Sequence, residues 1–166
     1  MKLRPAHIDD AVAISALVQR FLSEFTISPD GSGAELFLES VSVNAEASYI
    51  TDSRYRYIVA TEETMLAGFI ALRDDSHIFH LFVASEFQRR GLAKQLWNAA
   101  KAAAESAGNR VGFTVNSSPF ALPIYERFGF ERNGSLVEKH GICFVPMYLP
   151  RTSPGSINND AQAPLD

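Results

Sequence analysis

Cysteine is nearly absent: Cys143 is the only one among 166 residues, which excludes an internal disulfide. Positive charge is also scarce. Fifteen Lys and Arg against 19 Asp and Glu give a net charge of -4, so the broad basic field of a general nucleic-acid binder is missing and basic residues can act only locally. No apolar run reaches membrane-spanning length, no signal-peptide pattern follows Met1, and no internal repeat is visible; the expectation is a soluble, cytoplasmic protein with no membrane partner. What is present is apolar mass. With 46% hydrophobic and 20% charged residues, the chain has enough for one sizeable core and too little length to favour a second domain.

The apolar period changes along the chain. "KLRP" (2–5) reads as a short edge strand, and Asp9 is placed to cap a helix whose Val12, Ile14, Leu17, Val18 and Phe21 recur at helical spacing, ending near Leu22. "SPDGSG" (28–33) forms turns, and the stretch after it reads as one helix or two short ones. From Arg56 the pattern is that of strands: "RYIVATEE" and "MLAGFIALRD" form a hairpin about Glu63 and Thr64, and "SHIFHLFVA" (76–84), apolar on both faces, reads as a central strand. Leu92 to Ala107 is the clearest helix, with Leu92, Leu96, Ala99, Ala100 and Ala103 on one face and Gly108 as its stop. "RVGFTV" follows as a strand, then a helix closed by Gly129, then a closing hairpin; the last 16 residues lack apolar periodicity and read as a disordered tail.

The turn "QRRGLAK" (88–94) joins the central strand to that helix. The first N–H groups of a helix are unpaired, point outward and sit at the positive end of the dipole, so such a turn can bind an anion. Gly91 lets a phosphate approach the main chain, Arg89, Arg90 and Lys94 add charge at the rim, and Ala93 keeps the first helical turn open. Taken alone, the same pattern also describes a solvated helix cap.

Two motifs together carry more weight. "QRRGLA" (Gln88 to Ala93) fits the Q/R-x-x-G-x-G/A signature of acetyl-CoA sites, it follows "LFV" (Leu81 to Val83), and "SSPFALPIYERFGF" (117–130) ends with Tyr125, Gly129 and Phe130. In these motifs and their order, over roughly residues 2 to 149, the chain resembles the GNAT N-acetyltransferases. The resemblance implies an α/β (α+β) fold for residues 1–150: a central, mixed, mostly antiparallel twisted sheet of six or seven strands, about four flanking helices, and splayed fourth and fifth strands. It implies acetyl-CoA as co-substrate, with the pyrophosphate on the N–H groups of Arg89, Arg90, Gly91, Leu92 and Ala93. The pantetheine arm would lie against Leu81, Phe82, Val83 and the strand Arg110 to Asn116. It also implies acetyl transfer to a small-molecule or peptide amine, with homodimer formation through the closing strands open.

Attack of an amine on a thioester needs a neutral nucleophile, a polarised carbonyl and a proton for the departing thiolate. By resemblance, the N–H of Val83 bonds the acetyl oxygen and the phenol of Tyr125 protonates the thiolate. His77 stands where some family members carry the base; His80 faces the other way by strict alternation, although a bulge would exchange the faces, and both stay open. The chain departs from the family's Asn-x-x-Ala-x-x-x-Tyr pattern: Ser118 replaces the asparagine, Asn116 lies two residues earlier, and Ala121 and Tyr125 keep the other positions. Ser118 can instead cap the helix, with a late start or a kink near Pro123. Glu24, Glu46 and Asp52 are candidates for drawing a cationic amine, although such carboxylates are usually solvated helix faces; Cys143 reads as a buried, inert thiol and Trp97 as packing. No metal set is evident. The rival readings are a non-catalytic acyl-CoA-binding module and an interaction scaffold without cofactor.

Overall fold

Runs of β-branched and aromatic residues between short polar turns build the sheet. In the computed structural model, which describes residues 1–151, β2 (Tyr55–Glu62) and β3 (Met65–Arg73) form an antiparallel hairpin closed by Glu63 and Thr64, with Glu63 in the left-handed region at φ 55°. β1 (Lys2–Pro5) pairs with the outer side of β2, and β4 (His77–Val83) pairs antiparallel with β3. β5 (Phe113–Ser117) joins β4 in parallel, and β8 (Ile142–Leu149) joins β5 antiparallel, carrying the short β6 (Glu131–Arg132) and β7 (Val137–Lys139). The order is β1-β2-β3-β4-β5-β8-β6, with β7 also on β8. The expected mixed, mostly antiparallel sheet is thus present, with β7 beyond the expected number of strands.

Five α-helices flank it: α1 (Ala11–Gln19), α2 (Glu35–Ser40), α3 (Val43–Thr51), α4 (Leu92–Ser106) and α5 (Leu122–Arg127). The ambiguous stretch after residue 33 resolves into α2 and α3, with Ser42 capping α3 by accepting from the Ala45 N–H at 3.2 Å. Asp9 does not cap α1. A 3₁₀ turn at Ile8–Asp10 precedes that helix, and Asp10 accepts both from the His7 N–H and from the Arg4 guanidinium. α1 ends at Gln19, earlier than Leu22, because the chain turns into a second 3₁₀ segment at Leu22–Glu24.

Residues Ala67 to Leu72 of β3 are buried at every position, as a strand covered on both faces must be. The Phe69 ring stacks between Tyr57 (6.0 Å) and Phe82 (5.7 Å). Trp97 of α4 meets Phe113, Phe128 and Phe130, and Tyr125 meets Phe128 and Phe130. Each such ring buries about 150–250 Å², so this cluster fixes α4 and α5 against the start of β5.

Candidate active site

β4 and β5 are paired only at their beginnings. The register covers His77 with Thr114 and Ile78 with Val115, and beyond it the strands part. Because they run parallel, the turn entering α4 and the turn entering α5 both lie at the open end.

The register of β3 against β4 determines which peptide groups face that opening. Ala71 pairs with His80 and Leu72 with Ile78, leaving Phe79 as an extra residue, a β-bulge. The Ala84 N–H donates to Ala67 at 2.9 Å, and main-chain groups of successive strand residues point alternately to the two neighbours. Leu81 and Val83 therefore turn their N–H groups away from β3 into the gap. Gly68 lets β3 come close here: a Cβ on it would lie 2.7 Å from the Phe82 carbonyl oxygen.

The turn after β4 is open. Gly91 is the N-cap of α4 at φ 75°, no side chain caps the helix, and a Cβ at Gly91 would meet nothing within 4 Å. The N–H groups that begin α4 have no partner within the helix, and among the described residues nothing fills the space beside Gly91. Arg89, at φ 60°, and Arg90 are exposed, as is Lys94, and among the described residues none of these cations has an ion-pair partner. The nearby Glu86 is already neutralised: Arg20 approaches it at 2.7 Å and holds its carboxyl down at about 2. Arg90 lies 5.5 Å over the Phe87 ring. Gln88 donates from its side chain to the Val83 carbonyl at 3.0 Å, closing the strand end, while Leu92 is buried in the core and Ala93 is half-buried.

Across the gap, Ser118 is buried and its Oγ accepts from the Ala121 N–H at 3.2 Å. That bond shapes the turn, and α5 begins late, at Leu122, with Pro123 in its first turn where a missing N–H costs nothing. Asn116 is exposed on β5, opposite Pro146. Tyr125 is 6% exposed, its hydroxyl makes no hydrogen bond with any described residue, and burial raises its pKa. A phenol so placed stays protonated at neutral pH and is a weaker acid than a free one.

His77 sits at the closed end. Its Nδ1 lies 2.7 Å from Thr114 Oγ1, and burial, reinforced by Arg73, pushes its pKa down to about 4, which leaves it a weak proton acceptor at neutral pH. The bulge places His77 and His80 on one face of the sheet, opposite Arg73 and Ala71, contrary to strict alternation. Glu46 is not on a solvated helix face: it is fully buried, accepts from the Tyr57 hydroxyl at 2.7 Å, and brings Oε1 to 3.1 Å from His80 Nε2. Sequence reasoning missed this cluster because a lone glutamate in a short helix carries no sign of burial; the faint signal was its i–i+3 relation to Tyr49 on the packed side. Glu24 is half-buried without an ion-pair partner among the described residues, and burial raises its pKa. Asp52 is exposed at the end of α3, and Cys143 is half-buried, less enclosed than expected.

A family model for the acetyltransferase (GNAT) domain matches residues 25–150. The chain belongs to the GNAT acetyltransferase family. A comparison with curated proteins finds no significant match. Solved structures share the fold. A GCN5-related N-acetyltransferase from Rhodopseudomonas palustris aligns with a TM-score of 0.74 at 19% identity, over 90% of this chain and 95% of that one. The PaiA N-acetyltransferase of Thermoplasma acidophilum, in complex with coenzyme A, gives 0.72 at 15%, over 90% and 98%. The spermidine N-acetyltransferase of Vibrio cholerae, with CoA and spermine, gives 0.63 at 24%, over 90% and 94%. No helix among the described residues of this GNAT chain is long and apolar enough to cross a membrane.

Proposed function

We propose that this GNAT protein transfers an acetyl group from acetyl-CoA to a primary amine by direct attack. One observation carries the reading: a helix start that is uncapped and unfilled among the described residues, flanked by cations without an ion-pair partner among them, lies at the same end of the sheet as two parted strands. A diphosphate fits the first feature through main-chain N–H donors and the helix dipole. An extended amide-bearing arm fits the second, pairing with the N–H groups of Leu81 and Val83 as an added strand does.

In this reading, Arg89, Arg90, Gly91, Leu92, Ala93 and Lys94 hold the diphosphate. Gln88 acts indirectly, keeping the Val83 carbonyl occupied so that its peptide plane stays fixed. The Val83 N–H stabilises the oxygen on which charge develops during attack, and such a preorganised donor is worth about 2.7–4 kcal/mol. Tyr125 supplies the proton that leaves with the thiol. Ser118 and Ala121 shape the wall of the gap, and Asn116 reaches its rim.

The test is release of free thiol from acetyl-CoA over a panel of polyamines, amino acids, aminoglycosides and peptide N-termini, with coenzyme A affinity measured calorimetrically. Affinity with amine-dependent thiol release is expected. Coenzyme A binding without turnover on any amine would reduce the protein to an acyl-CoA-binding module, and absence of binding would reject both readings.

A further inference from the structure

We infer that His80, seated on Glu46, is the proton acceptor for the attacking amine; this rests on the acetyl-transfer reading above. Glu46 is 0% exposed and His80 7%. Burying a carboxylate beside an imidazole is expensive, and apolar residues of similar volume often hold a core equally well, so packing alone gives little reason for the pair.

Its geometry is that of a base held from behind. Glu46 Oε2 is fixed by the Tyr57 hydroxyl at 2.7 Å, and Oε1 faces His80 Nε2 at 3.1 Å. The two facing atoms lie off the hydrogen-bond axis, and each lacks an aligned partner, a common state of such contacts before substrate arrives. Nδ1 of His80 has no partner among the described residues and is not among the sealed, unpaired atoms of the core. Among the described residues, Nδ1 is therefore the ring nitrogen that is neither paired nor sealed. His80 also stands just beyond Ile78, the last β4 residue paired with β5, where the strands begin to part. His77, by contrast, spends a ring nitrogen on Thr114 at the closed end.

Glu46 of α3 faces His80 and the rings of Phe69, Phe79 and Phe82 pack against it; Tyr57 of β2 lies behind Glu46, Tyr49 and Tyr55 lie beyond Phe79, and Arg73 and His77 stand on the same face of the sheet. The turn between Phe21 and Phe25, both of which pack on Phe82, carries Glu24. Glu46 is the only carboxylate within ion-pair distance of His80 among the described residues.

The step balances. A substrate ammonium gives one proton to Nδ1, and the imidazolium so formed is compensated by Glu46. The freed nitrogen lone pair forms the C–N bond, the C–S bond breaks, the thiolate takes a proton from Tyr125, and the second proton of the attacking nitrogen leaves to solvent as the neutral amide forms. His80 then returns its proton to solvent, and the tyrosinate is reprotonated from solvent.

The experiment measures kcat against pH for the full chain with acetyl-CoA and the best amine of the panel, in wild type, His80→Gln, Glu46→Gln and Ser15→Ala. The last removes a different buried hydrogen bond, Ser15 Oγ to the Val41 carbonyl at 2.7 Å, and controls for loss of stability. His80→Gln is expected to keep coenzyme A affinity, lower kcat by about 100-fold and lose the acidic limb. Glu46→Gln should move that limb to lower pH, because the imidazolium loses its counter-charge; if His80→Gln does not fold, this shift decides. A His80→Gln profile matching that of Ser15→Ala, with only the melting point lowered, overturns the inference while acetyl transfer stands. A wild type that turns over no amine rejects acetyl transfer itself, and the proton step with it.

Discussion

Replacing Gly91 by alanine separates backbone strain from exclusion of a ligand. Gly91 has φ 75°, and a Cβ there meets nothing within 4 Å. In the free protein the substitution therefore costs only the left-handed strain, about 1 kcal/mol, or about 2–4 °C in melting temperature for a chain of this size. Gly108, beyond the other end of α4, has φ 109° and is equally open, so Gly108→Ala carries backbone strain of at least that size far from the turn. The two variants should diverge when coenzyme A is added. A methyl over the helix start keeps a diphosphate from its main-chain donors, and losing one charge-assisted bond costs about 1.5–3 kcal/mol, a Kd increase of about tenfold or more. Gly91→Glu adds repulsion of about 2 kcal/mol against two phosphate charges near 4 Å in water, about a further 30-fold. Isothermal titration calorimetry with coenzyme A, alongside thermal melts, reads both effects. Equal Kd values for Gly91→Ala and Gly108→Ala would refute the reasoning.

Tyr125→Phe removes a hydroxyl without a described partner, so stability should change by less than about 0.5 kcal/mol and coenzyme A affinity should hold, while kcat falls; equal losses of kcat and affinity would argue against an acid role. With its pKa raised, Tyr125 should impose no alkaline limb on kcat below about pH 10. Gly68→Ala would press a methyl on the Phe82 carbonyl and should cost about 1–3 kcal/mol by urea denaturation while also weakening coenzyme A binding; an unchanged midpoint would contradict the close β3–β4 approach. His77 is depressed from 6.5 to about 4, so the unfolded chain binds the extra proton between these values. Stability should be full above about pH 6.5 and fall toward pH 4, by about 1–2 kcal/mol after allowance for solvent screening. His77→Gln should flatten that part of the curve, and an unchanged slope would count against the burial of the ring.

The strands, α4 and the turn that enters it were legible because each rests on local rules. Alternating and continuous apolar runs marked β2 to β4, Gly108 ended α4, and Gly91 announced a position without Cβ. The start of α5 was also readable, since Pro123 cannot give an N–H to a regular ladder. The bulge at Phe79 was not, because a register shift arises from pairing β4 with β3 and leaves no local trace. It decides that His77 and His80 share a face, while the Ala84–Ala67 bond sets Leu81 and Val83 with their N–H groups toward the gap. Glu46 was hidden for a related reason: its burial depends on Tyr57 and His80, 11 and 34 residues away. The cap of α1 was misassigned to Asp9 because Asp10, one residue on, is the carboxylate that Arg4 and the His7 N–H engage.

The central claim is that coenzyme A lies on the start of α4 and along the open edge of β4. An amide-resolved NMR titration with coenzyme A tests it directly. The account predicts the largest shifts at Arg89, Gly91, Leu92 and Ala93, accompanied by Leu81 and Val83. Shifts centred instead on the separate basic groove formed by Lys101, Arg110 and Arg151, with residues 89–93 unmoved, would contradict it.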